Sequence, residues 1–240
     1  MPNTSVIITG ASRGIGFETA KYFARLDHYR VYALSRNKAK LDQLATECAG
    51  LNKTSKLIPF VFDIEDFLRQ PAVLIRKLLG DIKHVDILIN NAGYLVNKPF
   101  DQITSAEALH MLQINFLGPA LLIKELSLAM GGEAATHVVN ISSMGGYQGS
   151  VKFPGLSYYS ASKAALANLT ECLSVEYENL NVIFNCLALG AVQTEMLAEA
   201  FPGYKAPLKP KEIADFIGDF ARHGHRFMNG KIIPVSLSNP

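Results

Sequence analysis

The stretch Ser5-Val6-Ile7-Ile8-Thr9-Gly10-Ala11-Ser12-Arg13-Gly14-Ile15-Gly16 decides the fold. Residues 5–9 have the β-branched, apolar character of a buried strand, and a glycine-rich turn leads from them into a helical pattern. Gly10 permits a tight turn, Gly14 removes a Cβ that would block a pyrophosphate, and Gly16 lets the helix approach the sheet closely. The start of that helix offers unpaired N–H groups and a positive dipole end, which suit an anion. The spacing is G-x3-G-x-G, not the G-x-G-x-x-G of the common dinucleotide fingerprint. Its place after the first strand is what makes it point to a dinucleotide.

Outward from this turn, short apolar runs alternate with stretches of helical period. Strands are expected at residues 31–35, 57–63, 85–89, 137–141, 181–187 and 231–235. Helices are expected at residues 16–26, 73–79, 105–130 and 159–177, with one more capped by Asn37 and running through Leu41 and Leu44. Alternation of this kind builds βαβ units, so the expectation is an α/β fold: a Rossmann-type, doubly wound, mainly parallel sheet with helices on both faces. One domain is expected over residues 1–240.

Composition narrows the functional classes. The chain has 240 residues, 23 basic and 21 acidic, for a net charge of +2, which makes no electrostatic case for nucleic acid or an anionic membrane. It has no uninterrupted apolar run of about 18 residues. The first strand begins so near Met1 that no signal peptide is expected. Cys48, Cys172 and Cys186 show no CxxC spacing, and packed free thiols in a reducing cytoplasm are expected. No metal site is expected.

Two arginines bear on the cofactor. An NAD site usually has Asp or Glu near the end of the second strand, but here the sequence is Leu34-Ser35-Arg36-Asn37. Arg36, with Arg13 in the glycine turn, suits a 2′-phosphate, so NADP(H) is expected over NAD(H).

Tyr159 and Lys163 are four apart on an expected helix and so share a face. A lysine cation beside a phenol favours the phenolate, turning a poor proton donor into a useful general acid/base. Asn140-Ile141-Ser142-Ser143 ends the fifth strand, where a hydroxyl reaches the crevice at the carboxyl edge of the sheet. Asn115 lies inside the long helix before that strand.

Together these residues resemble a classical short-chain dehydrogenase/reductase, over Val6 to about Thr194 and more weakly in the last strand. Residues 9–16 match the family's cofactor motif, and Asn90-Asn91-Ala92-Gly93 matches its motif after the fourth strand. Asp63 matches the residue that contacts adenine. Asn115, Ser143, Tyr159 and Lys163 match the catalytic tetrad, with Tyr159-Ser160-Ala161-Ser162-Lys163-Ala164-Ala165 a full-length motif match. The resemblance implies an oxidoreductase acting on a carbonyl/alcohol pair. Tyr159 would transfer the proton and Ser143 would bond the substrate oxygen. Lys163 would lower the Tyr159 pKa and hold the nicotinamide ribose, and Asn115 would support a water path to Lys163. Cofactor contacts are implied for Gly10, Ser12, Arg13, Gly14, Ile15, Gly16, Arg36, Asp63, Asn91, Ala92, Gly93, Tyr159, Lys163, Gly190, Val192 and Thr194. A homodimer or homotetramer is implied too, paired through the two long central helices.

Two departures stand out. Leu189-Gly190 replaces the family's usual Pro-Gly, which is expected to loosen the way into a lid over residues 191–215. Ser143 and Tyr159 are also further apart than is common, which leaves open whether Ser142 or Ser143 is the active hydroxyl. All four tetrad residues are kept, against a scaffold that has lost the chemistry. About 45 residues follow Thr194, too few for the substrate domain of the extended relatives. Residues 144–158, with Met144, Tyr147, Phe153 and Leu156, and residues 191–210, with Met196, Leu197, Phe201 and Tyr204, are expected to face the substrate. An apolar or aromatic ketone or aldehyde is therefore expected, with Lys152 and Lys205 able to receive an acidic substituent.

Overall fold

The computed structural model describes residues 3–80 and 82–237. The ends of the expected 1–240 domain and Asp81 lie outside the described residues. In chain order the elements are β1 (Thr4–Thr9), α1 (Gly14–Ala24), β2 (Tyr29–Ser35), α2 (Lys38–Cys48), β3 (Lys56–Val61), α3 (Ile64–Arg69), α4 (Pro71–Leu79) and β4 (Ile87–Asn90). They continue with α5 (Ser105–Leu112), α6 (Gly118–Leu126), β5 (Thr136–Ser143), α7 (Ser157–Glu176), β6 (Val182–Leu189), α8 (Glu195–Ala200), α9 (Pro210–His223) and β7 (Lys231–Val235).

The strands form one seven-stranded sheet in the order β3-β2-β1-β4-β5-β6-β7, and every strand pair is parallel. Chain order reverses between β1 and β4, which opens a crevice at their carboxyl ends. Side chains alternate across a strand, so Val6 and Ile8 join one apolar layer while Ile7 joins the other. The first layer packs Phe23, Leu41 and Ile217 against the sheet, and the second packs Phe67, Leu78, Leu122 and Leu126. Both faces are covered, as the continuous apolar strands require. The Rossmann-type, single-domain architecture read from the sequence is the one observed.

The differences are local. The expected helix over residues 105–130 is α5 and α6 joined by a π-helical turn, Gln113–Leu117, with a 3-10 turn, Ser127–Ala129, at its end. Ser105–Ala129 has the length and apolar composition to cross a membrane, but it packs on the sheet with Ile114, Leu122, Ile123 and Leu126 buried. Helix α3 precedes the expected α4, with Pro71 starting the second of the two. Helices α8 and α9 were absent from the sequence reading. Helix α9 begins at Pro210 and buries Ile213, Ala214 and Ile217, so the last residues of the expected lid belong to the core. Leu189 is buried and paired with Ser143 on one side and Val235 on the other. It prolongs β6 at a position where a proline would lack a ladder N–H. Cys48 and Cys186 are buried free thiols as expected, but Cys172 is exposed on the outer face of α7.

Candidate active site

A cavity of about 660 Å³ runs along the carboxyl edge of the sheet at the β1–β4 reversal. The glycine turn forms one end. Gly10 has φ +70°, and a Cβ there would lie 2.8 Å from the Ala92 Cα, so side chains are excluded by conformation and space alike. At Gly16 a Cβ would sit 2.4 Å from the Gly10 carbonyl oxygen and 2.5 Å from the Asn91 Nδ2. Asn91 ties the turn to the end of β4: its Nδ2 donates to the Thr9 carbonyl at 3.0 Å, and its N–H donates to the Thr9 Oγ1 at 3.0 Å. The Ala92 N–H donates to the same hydroxyl at 3.0 Å. Arg13, the N-cap of α1, gives the first turn no side-chain acceptor, and the turn lines the cavity.

The other sequence-selected residues at this end are placed as follows. Ser12, Arg13, Gly14, Ile15, Arg36, Asp63, Ala92, Gly93, Gly190, Val192 and Thr194 all line the cavity, but Gly16 stands behind the turn. Arg36 is exposed just after β2. Asp63 caps α3, its carboxylate accepting the Glu65 N–H at 2.8 Å. Thr194 caps α8 by accepting the Leu197 N–H at 3.2 Å. Arg13 reaches across the cavity, its Nη1 donating to Glu199 of α8 at 2.7 Å.

At the far end Ser143, Tyr159 and Lys163 converge on the cavity. Ser142 is buried and its hydroxyl donates to the Lys163 carbonyl at 2.8 Å, whereas the Ser143 hydroxyl accepts the Gly145 N–H at 3.2 Å and lines the cavity with Tyr159. Burial pushes the Tyr159 phenol above its ordinary value, and the Ser143 hydroxyl acts the other way. The sequence reading has Lys163 drawing the phenol down. Here burial governs Tyr159, and the Lys163 Nζ donates to the Ile141 carbonyl at 2.9 Å. Lys163 is itself buried, which lowers its pKa to about 8, with Cys186 acting in the opposite sense.

Asn115 is fully buried in the π-helical turn and does not line the cavity. Its Oδ1 accepts the Tyr94 N–H at 2.8 Å, and its Nδ2 donates to the Tyr94 carbonyl at 2.8 Å and to the Ser162 hydroxyl at 2.9 Å. Both backbone groups of the residue after Gly93 are thereby held. A Cβ at Gly93 would lie 3.5 Å from both the Asn115 Oδ1 and the Lys163 Nζ, so the asparagine and the lysine meet there. A π-turn is a costly departure from regular helix and often marks a functional position.

Between the ends, the wall is apolar: Met144, Phe153, Leu156, Met196, Leu197, Phe201 and Tyr204 line it as expected. Tyr147 does not. Its carbonyl accepts Lys152 Nζ at 2.6 Å, which folds that loop on itself and keeps both residues out of the lining. Lys205 is also outside it. Sequence reasoning missed Tyr94, Leu95, His110 and Ile114, along with the acids Glu195 and Glu199, all of which line the cavity. The two acids are four apart after the Thr194 cap, a spacing that places both on one helix face.

The sequence model of the short chain dehydrogenase family matches residues 4–205. Mouse dehydrogenase/reductase SDR family member 7B is 32% identical over 200 residues, 82% of this chain and 60% of that protein. The chain spans about three fifths of the length of the curated relatives it matches first. A crystal structure of a putative NAD(P)-dependent gluconate 5-dehydrogenase from Beutenbergia cavernae with bound NADP superposes with a TM-score of 0.86 at 25% identity. That likeness covers 98% of this chain and 96% of the other. The 3-ketoacyl-(acyl-carrier-protein) reductase of Brucella melitensis, complexed with NADH, shares the fold with a TM-score of 0.83 at 22% identity, over 98% and 97% of the two chains. With the glycine turn, the tyrosine–lysine pair and the sheet-edge cavity in one fold, this chain belongs to the short-chain dehydrogenase/reductase family.

Proposed function

We propose that the chain is an NADP(H)-dependent oxidoreductase that interconverts a mainly apolar or aromatic ketone or aldehyde and its alcohol. One observation carries this reading: a single cavity has a glycine turn at one end and Tyr159 with Ser143 at the other. The residues fit a dinucleotide. A side chain at Gly10 is sterically excluded, the α1 amino end faces the cavity without a side-chain cap, and Arg36 follows β2 where an acid would favour NAD(H). NADP(H), when bound, supplies or takes the hydride.

The chain's own residues do the rest. Tyr159 Oη gives the proton to the developing alkoxide or takes it from the alcohol, in the cavity it lines together with Ser143. Ser143 then holds the substrate oxygen, and Ser142, committed to the Lys163 carbonyl, positions the helix. Lys163 would hold the nicotinamide ribose when the cofactor is bound, and its ammonium would favour the phenolate of Tyr159. Asn115 fixes the backbone beside Gly93 and connects the Lys163 end of the cavity to Ser162. The apolar wall excludes water as the segment over residues 191–209 closes. Carbonyl reduction is the direction an NADP(H) preference favours.

A cytoplasmic homodimer or homotetramer is the accompanying assembly, supported by Leu109, Leu117 and Leu128, which stay exposed along the central helices. NADPH oxidation scored against paired neutral and anionic carbonyl compounds tests the reading. Neutral aromatic or aliphatic members should turn over faster, and a strong preference for phosphorylated partners would refute the apolar substrate.

A further inference from the structure

Arg13 already has an anionic partner within the protein. Its guanidinium donates to Glu199 at 2.7 Å, and this contact joins the glycine turn to α8 across the cavity. Helix α8 carries a second acid on the same side: a Cβ built on Gly14 would lie 3.6 Å from the Glu195 carboxylate. Two carboxylates therefore stand over a turn whose geometry suits the anionic part of a dinucleotide. Only one of them engages an arginine. The Arg13 and Glu199 side chains are 38% and 64% exposed, so the pair is weak enough to be exchanged.

We propose that Glu199 sets cofactor selectivity by competing with the 2′-phosphate for Arg13, so that NADP(H) binding and release of α8 from the glycine turn are one coupled step. This inference rests on the NADP(H) reading above. Glu199 holds Arg13 through Nη1, and a phosphate drawn to the same guanidinium would meet that carboxylate anion against anion, so the two compete for it. In the cofactor-free protein Glu199 acts as the internal anion. NADP(H) must displace it, so its apparent affinity is reduced by the fraction of molecules in which Arg13 is already free. NAD(H) has no 2′-phosphate, does not require Arg13, and is not subject to this competition. The wild-type preference for NADP(H) is then smaller than the two arginines alone would give, and freeing Arg13 would also free the lid.

Equilibrium titration of the whole chain with NADPH and NADH, followed by cofactor fluorescence at physiological salt, tests this without any substrate. Glu199→Gln should tighten NADPH about two- to sixfold, the range an exposed ion pair can impose as a competitor, and leave NADH nearly unchanged. Glu195→Gln removes the same charge from the same helix without touching the Arg13 pair, and should shift both cofactors equally. In an Arg13→Ala background, Glu199→Gln should have no effect on NADPH. Equal gains for both cofactors in Glu199→Gln, no gain at all, or a Glu195→Gln profile identical to it would each overturn the competition. If the wild-type chain bound neither cofactor, the proposed function itself would fall, a different result from cofactor binding that ignores Glu199.

Discussion

The two edges of the sheet bury polar groups with equal thoroughness and opposite consequences. At the amino edge His137 is 2% exposed, and both ring nitrogens are used. Its Nδ1–H donates to the Ala221 carbonyl at 2.9 Å, so its Nε2 accepts from the Asn185 amide at 3.0 Å. Asp86 accepts the Ser5 N–H at 2.7 Å nearby, and Thr136 donates to the Val85 carbonyl. At the carboxyl edge Lys163 is as deeply buried, but Tyr159 and Ser143 open onto a cavity large enough for a ligand. Burial lowers the pKa of both bases, His137 to about 4 and Lys163 to about 8. At neutral pH, His137 is therefore uncharged and costs nothing, while Lys163 remains mostly charged and destabilises the fold. At the amino edge His137 and Thr136 are satisfied within the protein, although the buried His84 Nε2 and His225 Nδ1 have no hydrogen-bond partner. The carboxyl edge holds a charge at some expense in stability, as a site built for chemistry does.

The largest effect that would sharpen this contrast is at Tyr159. Tyr159→Phe keeps the ring and removes the proton carrier, so turnover with NADPH should fall about 10²–10⁴-fold while cofactor affinity and melting temperature hold. Near-normal turnover would move the acid/base role elsewhere.

The second effect belongs to the amino edge. His137 has a folded pKa of about 4 against an unfolded value of 6.5, so the folded state binds fewer protons through that window. Stability should be constant above pH 6.5 and decline as pH falls toward 4, by about 3 kcal/mol in all from this residue. Denaturant titrations across that range, compared with His137→Gln, would read it. A wild-type slope no steeper than the variant's would remove His137 from the account.

A smaller effect tests the cofactor end. Arg36→Asp should weaken NADPH by about 1–3 kcal/mol and narrow or reverse the preference over NADH. An unchanged ratio of dissociation constants would mean that Arg36 does not meet the 2′-phosphate.

How much of this was legible in the sequence follows from the range of the interactions involved. The glycine turn and the Tyr159–Lys163 pair are local spacings, so the chain shows them directly. Asn37 as a helix cap was readable for the same reason, and its side chain does accept the Lys40 N–H at 3.0 Å. The π-turn at Asn115 was not, because that turn is accompanied by bonds to Tyr94 and Ser162, distant in sequence. Helix α9 carries a local signal of its own: Pro210 at its first position, Glu212 accepting the Lys209 N–H, and Ile213, Ile217 and Phe220 at helical spacing. The resemblance expects Lys163 to lower the phenol pKa, but resemblance alone carries no burial term, and in this structure burial decides the sign. Arg13 was read as a phosphate ligand from its place in the turn, and no local pattern announces that Glu199 holds it.

In the proposed reaction hydride passes at the carboxyl edge between a nicotinamide and a carbonyl carbon. Incubating the chain with NADPH deuterated at one or the other face of its transferable carbon, plus a reducible aromatic ketone, tests it directly by mass spectrometry of the product. One deuterium is expected on the carbinol carbon from one of the two labelled cofactors, and no label when Tyr159→Phe replaces the wild type over the same interval. Unlabelled alcohol from both cofactors, or no alcohol across a broad set of carbonyl compounds, would contradict it.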